Sequence, residues 1–390
     1  MRVLMLTDYF PPHAGGGVER VVFELARTLV RAGLTVGVLT LNTNGAPGEE
    51  VLEEIRIWRV KGYALTRLLR LQSAFSPGVF RKALNICRTF APNLIHAHNI
   101  FFATSLVGPL LKWKLRRPLV TSLHLGSLGH VPGIPGHLAR LYEAGLGRWI
   151  LNQSDYVLAV SESVRQHGLK LGVAPQRILL IPNAVDLPRR APSPVSSSPL
   201  RRVVFVGRLV VNKGPHVFIH AAIRVLANAD NVEFILVGDG PMRRPLESEV
   251  SRRGLASHIR FLGFRSDVGE ILSSATLFVR PSLLEGYPLA VLEAMAYGVP
   301  VTASRIPGNT DLIQHGETGI LTEAGDVIAL AGAITALLGD AETRARLAAC
   351  ARAAVARLPG WDGVGRELIN VYDSLLKFPS PSPHHAGQPV

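Results

Sequence analysis

The chain has 390 residues, 47% hydrophobic and 18% charged, with a formal net charge of +13. That length points to two domains, and the composition supplies buried cores and excludes global disorder. Cys87 and Cys350 lie too far apart for a disulfide framework or a Cys-ligated zinc site, and no run of about 20 apolar residues offers a transmembrane helix.

Residues 2–6 read as a buried strand, stopped at Asp8 too soon for a secretory signal, so a cytoplasmic protein is expected. A glycine-rich loop containing Gly15, Gly16 and Gly17 follows, then an apolar-periodic helix over 18–32 and a strand over 35–41. The unit repeats as a strand at 94–98, a helix at 102–114 and a strand at 118–123, then a strand at 155–160 and a helix at 162–169. The Pro-, Ser- and Arg-rich stretch 188–200 reads as a linker. Strands resume at 203–206, 232–237, 259–262, 275–279 and 300–303, with helices between. The expectation is an α/β protein with two Rossmann-like domains, 1–187 and 201–360, a last amphipathic helix over 361–377 and a disordered tail over 378–390.

Ligands sit beyond the carboxyl ends of the strands in open parallel sheets. The loop from Gly207 to Gly214 puts Arg208 and Lys213 at such an edge, before a helix N-terminus, which suits a diphosphate. Two solvated surface cations are the plain alternative. Between Pro288 and Gly298, Glu293 is the one charge in an apolar helix. A buried carboxylate needs donors, and a ligand's hydroxyl groups would supply them. Glu285 precedes that helix and can face a ligand. Gly16 and Gly17 would let backbone approach a phosphate. His124 follows the strand 118–123 on the cleft side, while at least one of His96 and His98 is expected to be packing.

These segments resemble the family-4 (group 1) retaining glycosyltransferases, which have the GT-B fold of two Rossmann domains facing across a cleft. The resemblance runs from about Met1 to Lys377. It is carried by Tyr9-Phe10-Pro11-Pro12-His13 with the glycine loop, Ile95-His96-Ala97-His98-Asn99, Thr121-Ser122-Leu123-His124, Ala159-Val160-Ser161-Glu162-Ser163, Ile181-Pro182-Asn183-Ala184-Val185-Asp186, the Gly207–Gly214 loop, Phe234 to Pro241, and the Glu285-x7-Glu293 pair. The resemblance implies a metal-independent, retaining, hexosyltransferase-type enzyme with no cofactor beyond its nucleotide-diphospho-sugar donor. Arg208 and Lys213 would neutralise the diphosphate, Glu293 would accept the ribose hydroxyls and Glu285 would hold donor-sugar hydroxyls. The N–H groups of Leu289 and Ala290 would meet phosphate. Gly207 and Tyr287 would join the donor contacts, Gly263 would lie near the base, Gly16 and Gly17 near the phosphates, and His124 over the sugar. The last helix would return to the first domain. Asn93, Ala184 and Asp311 depart from the usual Asp, Gly and Glu, and the glycine loop has three glycines where two are usual.

The charge is uneven. Residues 1–200 carry 23 Lys and Arg against 11 Asp and Glu, whereas residues 201–390 carry 19 against 18. From Ile55 through Tyr142 there are 13 Lys and Arg and no acid. Arg67, Arg70, Lys112 and Lys114, mixed with apolar residues and Trp113, suit an acceptor or anionic membrane surface. The expected partners are a nucleotide-sugar, a lipid, lipid-linked or oligosaccharide acceptor and the inner membrane face, but no nucleic acid. Other readings are a soluble-acceptor enzyme, solvated basic helix faces, a GT-B-fold epimerase and a catalytically silent sugar-nucleotide-binding homologue.

Overall fold

A computed structural model describes residues 1–12, 16–43, 45, 48–64, 74–127, 134–188 and 200–377. Most of the expected linker, the tail and both Arg67 and Arg70 lie outside the described residues.

The first part of the chain forms β1 (Arg2–Leu6), β2 (Thr35–Asn42), β3 (Glu49–Leu52), β4 (Ile55–Lys61), the two-residue strands β5 (Tyr63–Ala64) and β6 (Ala74–Phe75), β7 (Leu94–His98), β8 (Leu119–Leu123), β9 (Tyr156–Ala159) and β10 (Ile178–Leu180). Eight of them make one sheet in the order β10-β9-β8-β7-β1-β2-β4-β3, with β5 and β6 paired separately. Its ladders are parallel except for β3 against β4. Val3, Leu4, Met5 and Leu6 are wholly buried, as a central strand covered on both faces requires. The β3–β4 hairpin was not expected. It alternates buried and exposed positions at the sheet edge and carries charge, so it lacks the apolar run that marks the inner strands.

The second sheet is wholly parallel. Its strands are β11 (Arg201–Val206), β12 (Val232–Val237), β13 (Ile259–Gly263), β14 (Leu277–Arg280), β15 (Val301–Ser304) and β16 (Ile320–Thr322), in the order β13-β12-β11-β14-β15-β16. Strand order reverses at β1 in the first sheet and at β11 in the second. Crevices open at such points, so the loops after β1, β7, β11 and β14 are the ones placed to hold a ligand.

Four helices position those loops: α1 (Gly17–Arg31), α2 (Pro215–Leu226), α3 (Leu289–Ala296) and α4 (Trp361–Lys377). One face of α4 is buried through Trp361, Val364, Leu368, Val371, Tyr372 and Leu375. It lies along α1, close enough that a Cβ on Gly365 would sit 2.5 Å from Thr28 Cγ2. Arg31 Nη2 also meets Asp362 Oδ1 at 3.2 Å. After the second sheet, α4 therefore returns to pack against the first. One apolar cluster joins Leu25, Val160 and Ile181 from the first half to Leu289, Leu292 and Trp361. The cleft is closed over a shared core.

Candidate active site

Gly207 follows β11 with φ +154°, and a Cβ there would lie 2.1 Å from Arg280 Nη1, so only glycine fits. Arg208 follows, half-buried. Gly214, at φ +69°, turns the chain into α2, and its Cα backs onto the Pro281 carbonyl. The main chains of the two loops are also joined by Leu283 N–H donating to Asn212 O at 2.8 Å. Lys213 is thereby held over the loop after β14. Its Nζ lies 2.8 Å from Glu285 Oε2.

Glu285 is the centre of a buried charged cluster. Its Oε1 accepts from Arg280 Nε at 2.8 Å and from Ser282 Oγ at 2.7 Å. Arg280 is fixed in turn, donating from Nη1 to Val206 O at 2.5 Å with its guanidinium over the Phe205 ring. Burial alone would raise the Glu285 carboxyl, but Arg280 and Lys213 outweigh it and bring it down to about 2. Burial lowers the Lys213 ammonium, with Glu285 opposing and Arg280 and Arg208 reinforcing the shift. The sequence reading gave Arg280 no role. Its one signal is a cation ending an otherwise apolar strand.

Four residues after Glu285 the chain enters α3. Pro288 is the extended N-cap, and its carbonyl takes the N–H groups of Val291 and Leu292 at 3.1 and 3.2 Å. Leu289 and Ala290 precede any carbonyl of the helix that could bond them, so their N–H groups suit an anion. Glu293, inside α3, is buried as expected, but it does not lack a protein donor. Arg20 Nη1, from α1 across the cleft, lies 2.5 Å from Glu293 Oε1. Burial raises the Glu293 pKa and Arg20 opposes the shift. The sequence points to a ligand's hydroxyl groups as its donors, and in this closed cleft Arg20 supplies one from the protein.

The first domain closes on this wall. Gly286 packs so tightly on the His124 carbonyl that a Cβ would lie 1.9 Å from its oxygen. Asn183 Nδ2 donates to the Tyr287 carbonyl at 3.0 Å, and Ser163 Oγ to Asp311 Oδ2 at 2.5 Å. Tyr287 is buried, which with the Asp311 charge pushes its hydroxyl to about 12. His124 follows β8, and its Nε2 lies 3.1 Å from His98 Nδ1. His98 stacks on His124 and lies tilted at 35° against His96, whose nitrogens meet Ser122 Oγ at 2.8 Å and the Tyr372 hydroxyl of α4 at 2.7 Å. Burial keeps all three rings neutral, lowering His96 to about 3, His124 to about 4 and His98 well below its ordinary value. His124 Nδ1 and His98 Nε2 are among the buried nitrogens of the described residues with no partner.

The remaining expected residues fall in different places. A Cβ on Gly16 would strike the Glu19 carboxylate, whereas one on Gly17 would meet nothing within 4 Å, so Gly17 is the glycine with open space. Gly263 ends β13 at φ +68°, two strands away from β11 and beside Arg243. Lys112 and Lys114 lie on the helix Val107–Leu115, away from the cluster. Lys112 turns inward to Asp155 Oδ1 at 2.6 Å, so its charge is matched locally, while Lys114 is exposed.

Two family models match. Glycosyltransferase Family 4 covers residues 15–189, and Glycosyl transferases group 1 covers residues 192–354. An uncharacterised glycosyltransferase of Methanocaldococcus jannaschii is 27% identical over 97% of this chain and 99% of its own. An Escherichia coli UDP-Gal:alpha-D-GlcNAc-diphosphoundecaprenol alpha-1,3-galactosyltransferase is 34% identical over 44% of this chain and 48% of its own. HepE of Anabaena, solved with UDP and glucose, superposes with a TM-score of 0.76 at 22% identity, covering 96% of this chain and all of that one. That likeness is one of fold, and the fold is GT-B.

Proposed function

The chain belongs to the group 1 glycosyltransferases of family 4, and from that premise we propose that it moves a sugar from a nucleotide-diphospho-sugar to an acceptor hydroxyl with retention at the anomeric carbon. The observation that carries this reading is the Arg280–Glu285–Lys213 cluster beside the open N-terminus of α3, meeting neutral His124 across the cleft. Lys213 and Arg208 neutralise the diphosphate, with the Leu289 and Ala290 N–H groups as further donors. Ionised Glu285 accepts from the sugar hydroxyls. Glu293 accepts from the ribose once Arg20 leaves it. Gly17 gives the phosphates room, and Gly263 lies toward the base.

In the reaction the bond from the anomeric carbon to the diphosphate oxygen breaks, and its electron pair leaves with the phosphate. The ring becomes oxocarbenium-like. The acceptor oxygen bonds to the same face, and its proton passes to the departing phosphate oxygen. Side-chain cations and helix N–H groups supply the positive charge, so we read the enzyme as metal-independent. The acceptor is a lipid or lipid-linked saccharide. Support comes from the acid-free basic stretch of the first domain and from the acceptor named for the E. coli relative. Among the described residues no helix is long and apolar enough to cross a membrane, and a peripheral position on the cytoplasmic face fits that reading.

A thermal-shift panel of nucleotide-sugars and bare nucleoside diphosphates identifies the donor, since a bound ligand raises stability by mass action. Donor hydrolysis or transfer should then fall by about a hundredfold or more in Lys213→Ala and Glu285→Ala. An unchanged rate in both refutes the assignment and favours a silent homologue. A trapped covalent sugar on an enzyme side chain refutes same-face attack.

A further inference from the structure

The helices Ile134–Tyr142 and Arg148–Gln153 are joined by the wider turn Glu143–Gly147, so residues 134–153 run as one helical rod. The rod buries Ala139, Glu143, Gly147 and Ile150 at helical spacing, which fixes its inner face. Tyr142 anchors that side, its hydroxyl donating to Ile100 O at 2.7 Å and its ring stacking on Phe101. The outer face should then be polar, but it is not. Leu138 is 53% exposed, Leu141 71%, Leu146 49% and Trp149 38%.

Every exposed charge described on the rod and over residues 107–117 is a cation. Arg140 lies among them, exposed. The helix Val107–Leu115 is tied to the end of the rod by Lys112 Nζ donating to Gln153 O at 2.8 Å. It adds Trp113, at 74% exposure, and the exposed Lys114, Arg116 and Arg117. The one acid of the rod, Glu143, is buried and accepts from Ser127 Oγ at 2.8 Å. Ser127 lies three residues beyond His124, so the rod is bonded to the segment that leaves the site.

We propose that this face docks on an anionic membrane surface. Leu138, Leu141, Leu146 and Trp149 enter the boundary between headgroups and acyl chains, while Arg140, Lys114, Arg116 and Arg117 meet lipid phosphates. A second copy of the chain fits worse, because it would bring the same unopposed cations face to face. The inference rests on the lipid-acceptor reading and adds the partner and the face. It moves that face from Lys112 to the rod beside His124, which sets the acceptor side of the cleft over the bilayer.

The test is co-sedimentation of the full chain with phosphatidylcholine vesicles, with and without phosphatidylglycerol. Wild type should pellet with the anionic vesicles at low salt and be released by high salt. Leu138→Ser/Leu141→Ser should bind about tenfold more weakly or worse, with an unchanged melting temperature and unchanged donor hydrolysis. Arg140→Glu/Lys114→Glu should remove the salt-sensitive part. The inference is overturned if wild type ignores anionic vesicles at low salt, if the leucine variant binds as wild type does, or if that variant breaks a dimer without changing vesicle binding. Loss of donor hydrolysis in wild type with vesicle binding intact would instead count against the transfer reading alone.

Discussion

Arg20→Ala tests whether the cleft holds a protein group in the donor's place. Arg20 Nη1 lies 2.5 Å from Glu293 Oε1, but the arginine side chain is 53% exposed and the carboxylate only 10%. The carboxylate is therefore the member that has lost its water. Two unit charges at 4 Å attract by about 4 kcal/mol at an effective dielectric constant of 20, as an upper bound. Solvent around the half-exposed guanidinium cuts the net value to about 1 kcal/mol, in the range of open ion pairs. In the proposed function the ribose hydroxyls need the same oxygens. Removing Arg20 should thus tighten nucleoside diphosphate binding by about fivefold, the equivalent of that energy. The gain should depend on pH. Burial raises the Glu293 pKa and Arg20 opposes it, so the variant's carboxyl protonates at a higher pH than the wild type's. Protonation removes an acceptor, so the gain is full on the alkaline side and fades as pH falls through the raised pKa. Isothermal titration with the nucleoside diphosphate picked out by thermal shift reads both effects. If Arg20→Ala binds more weakly at every pH, Arg20 is a donor ligand and the competition argument is wrong.

Gly286→Ala places a Cβ 1.9 Å from the His124 carbonyl oxygen, so the two walls must separate. Expected is a fall in kcat/KM of about a hundredfold with little change in nucleotide affinity, and a larger radius of gyration by small-angle scattering; wild-type kcat/KM would refute it. His96, His98 and His124 have folded pKa values below the unfolded value, so below about pH 6.5 the unfolded chain binds more protons and stability is lost. Each should contribute a slope of about 1.4 kcal/mol per pH unit until it titrates in the fold, read from chemical denaturation at neutral and mildly acidic pH; a flat profile would contradict the burial argument. Ser163→Ala and Asp311→Ala form a double-mutant cycle across the cleft, with an expected coupling of about 1 kcal/mol. Additive losses would show that this 2.5 Å contact does not hold the walls together.

The parallel strands were legible because burial on both faces leaves continuous apolar runs, as in residues 3–6 of β1 and 234–237 of β12, whereas the alternating, charged β3–β4 hairpin has none. Lys213, Glu285 and Glu293 were legible for a related reason. They are charges at places where apolar patterning and strand ends leave little room for an idle one. Their partners were not. Arg20 and Glu293 are far apart in sequence, and only the closed cleft joins them. Arg280 reads along the chain as a cation at a strand end, and its role comes from Gly207 giving it space. Lys112 reads as part of a basic surface, yet Asp155 neutralises it. Sequence patterning reports how buried a group is, but not which distant group satisfies it.

The two walls of the cleft treat charge in opposite ways, and the proposed transfer needs both. On the second-domain wall, Arg280 and Lys213 hold Glu285 ionised in a buried cluster. On the first-domain wall, burial strips the charge from three histidines packed side by side. As the bond to the diphosphate breaks, negative charge grows on phosphate and positive charge on the sugar ring. Cations beside the phosphate lower the barrier. A cation beside the ring would raise it, so the proposed transfer calls for His124 as a neutral dipole and predicts that an imidazolium would be harmful. The hydrogen bonds that keep the rings oriented run from His124 to His98 and from His96 to Tyr372 of α4. The return of the chain to the first domain thus buries the very histidines whose neutrality the chemistry requires. Among the described residues of the first half, Lys114, Arg116 and Arg117 are instead exposed to solvent, beside Trp113.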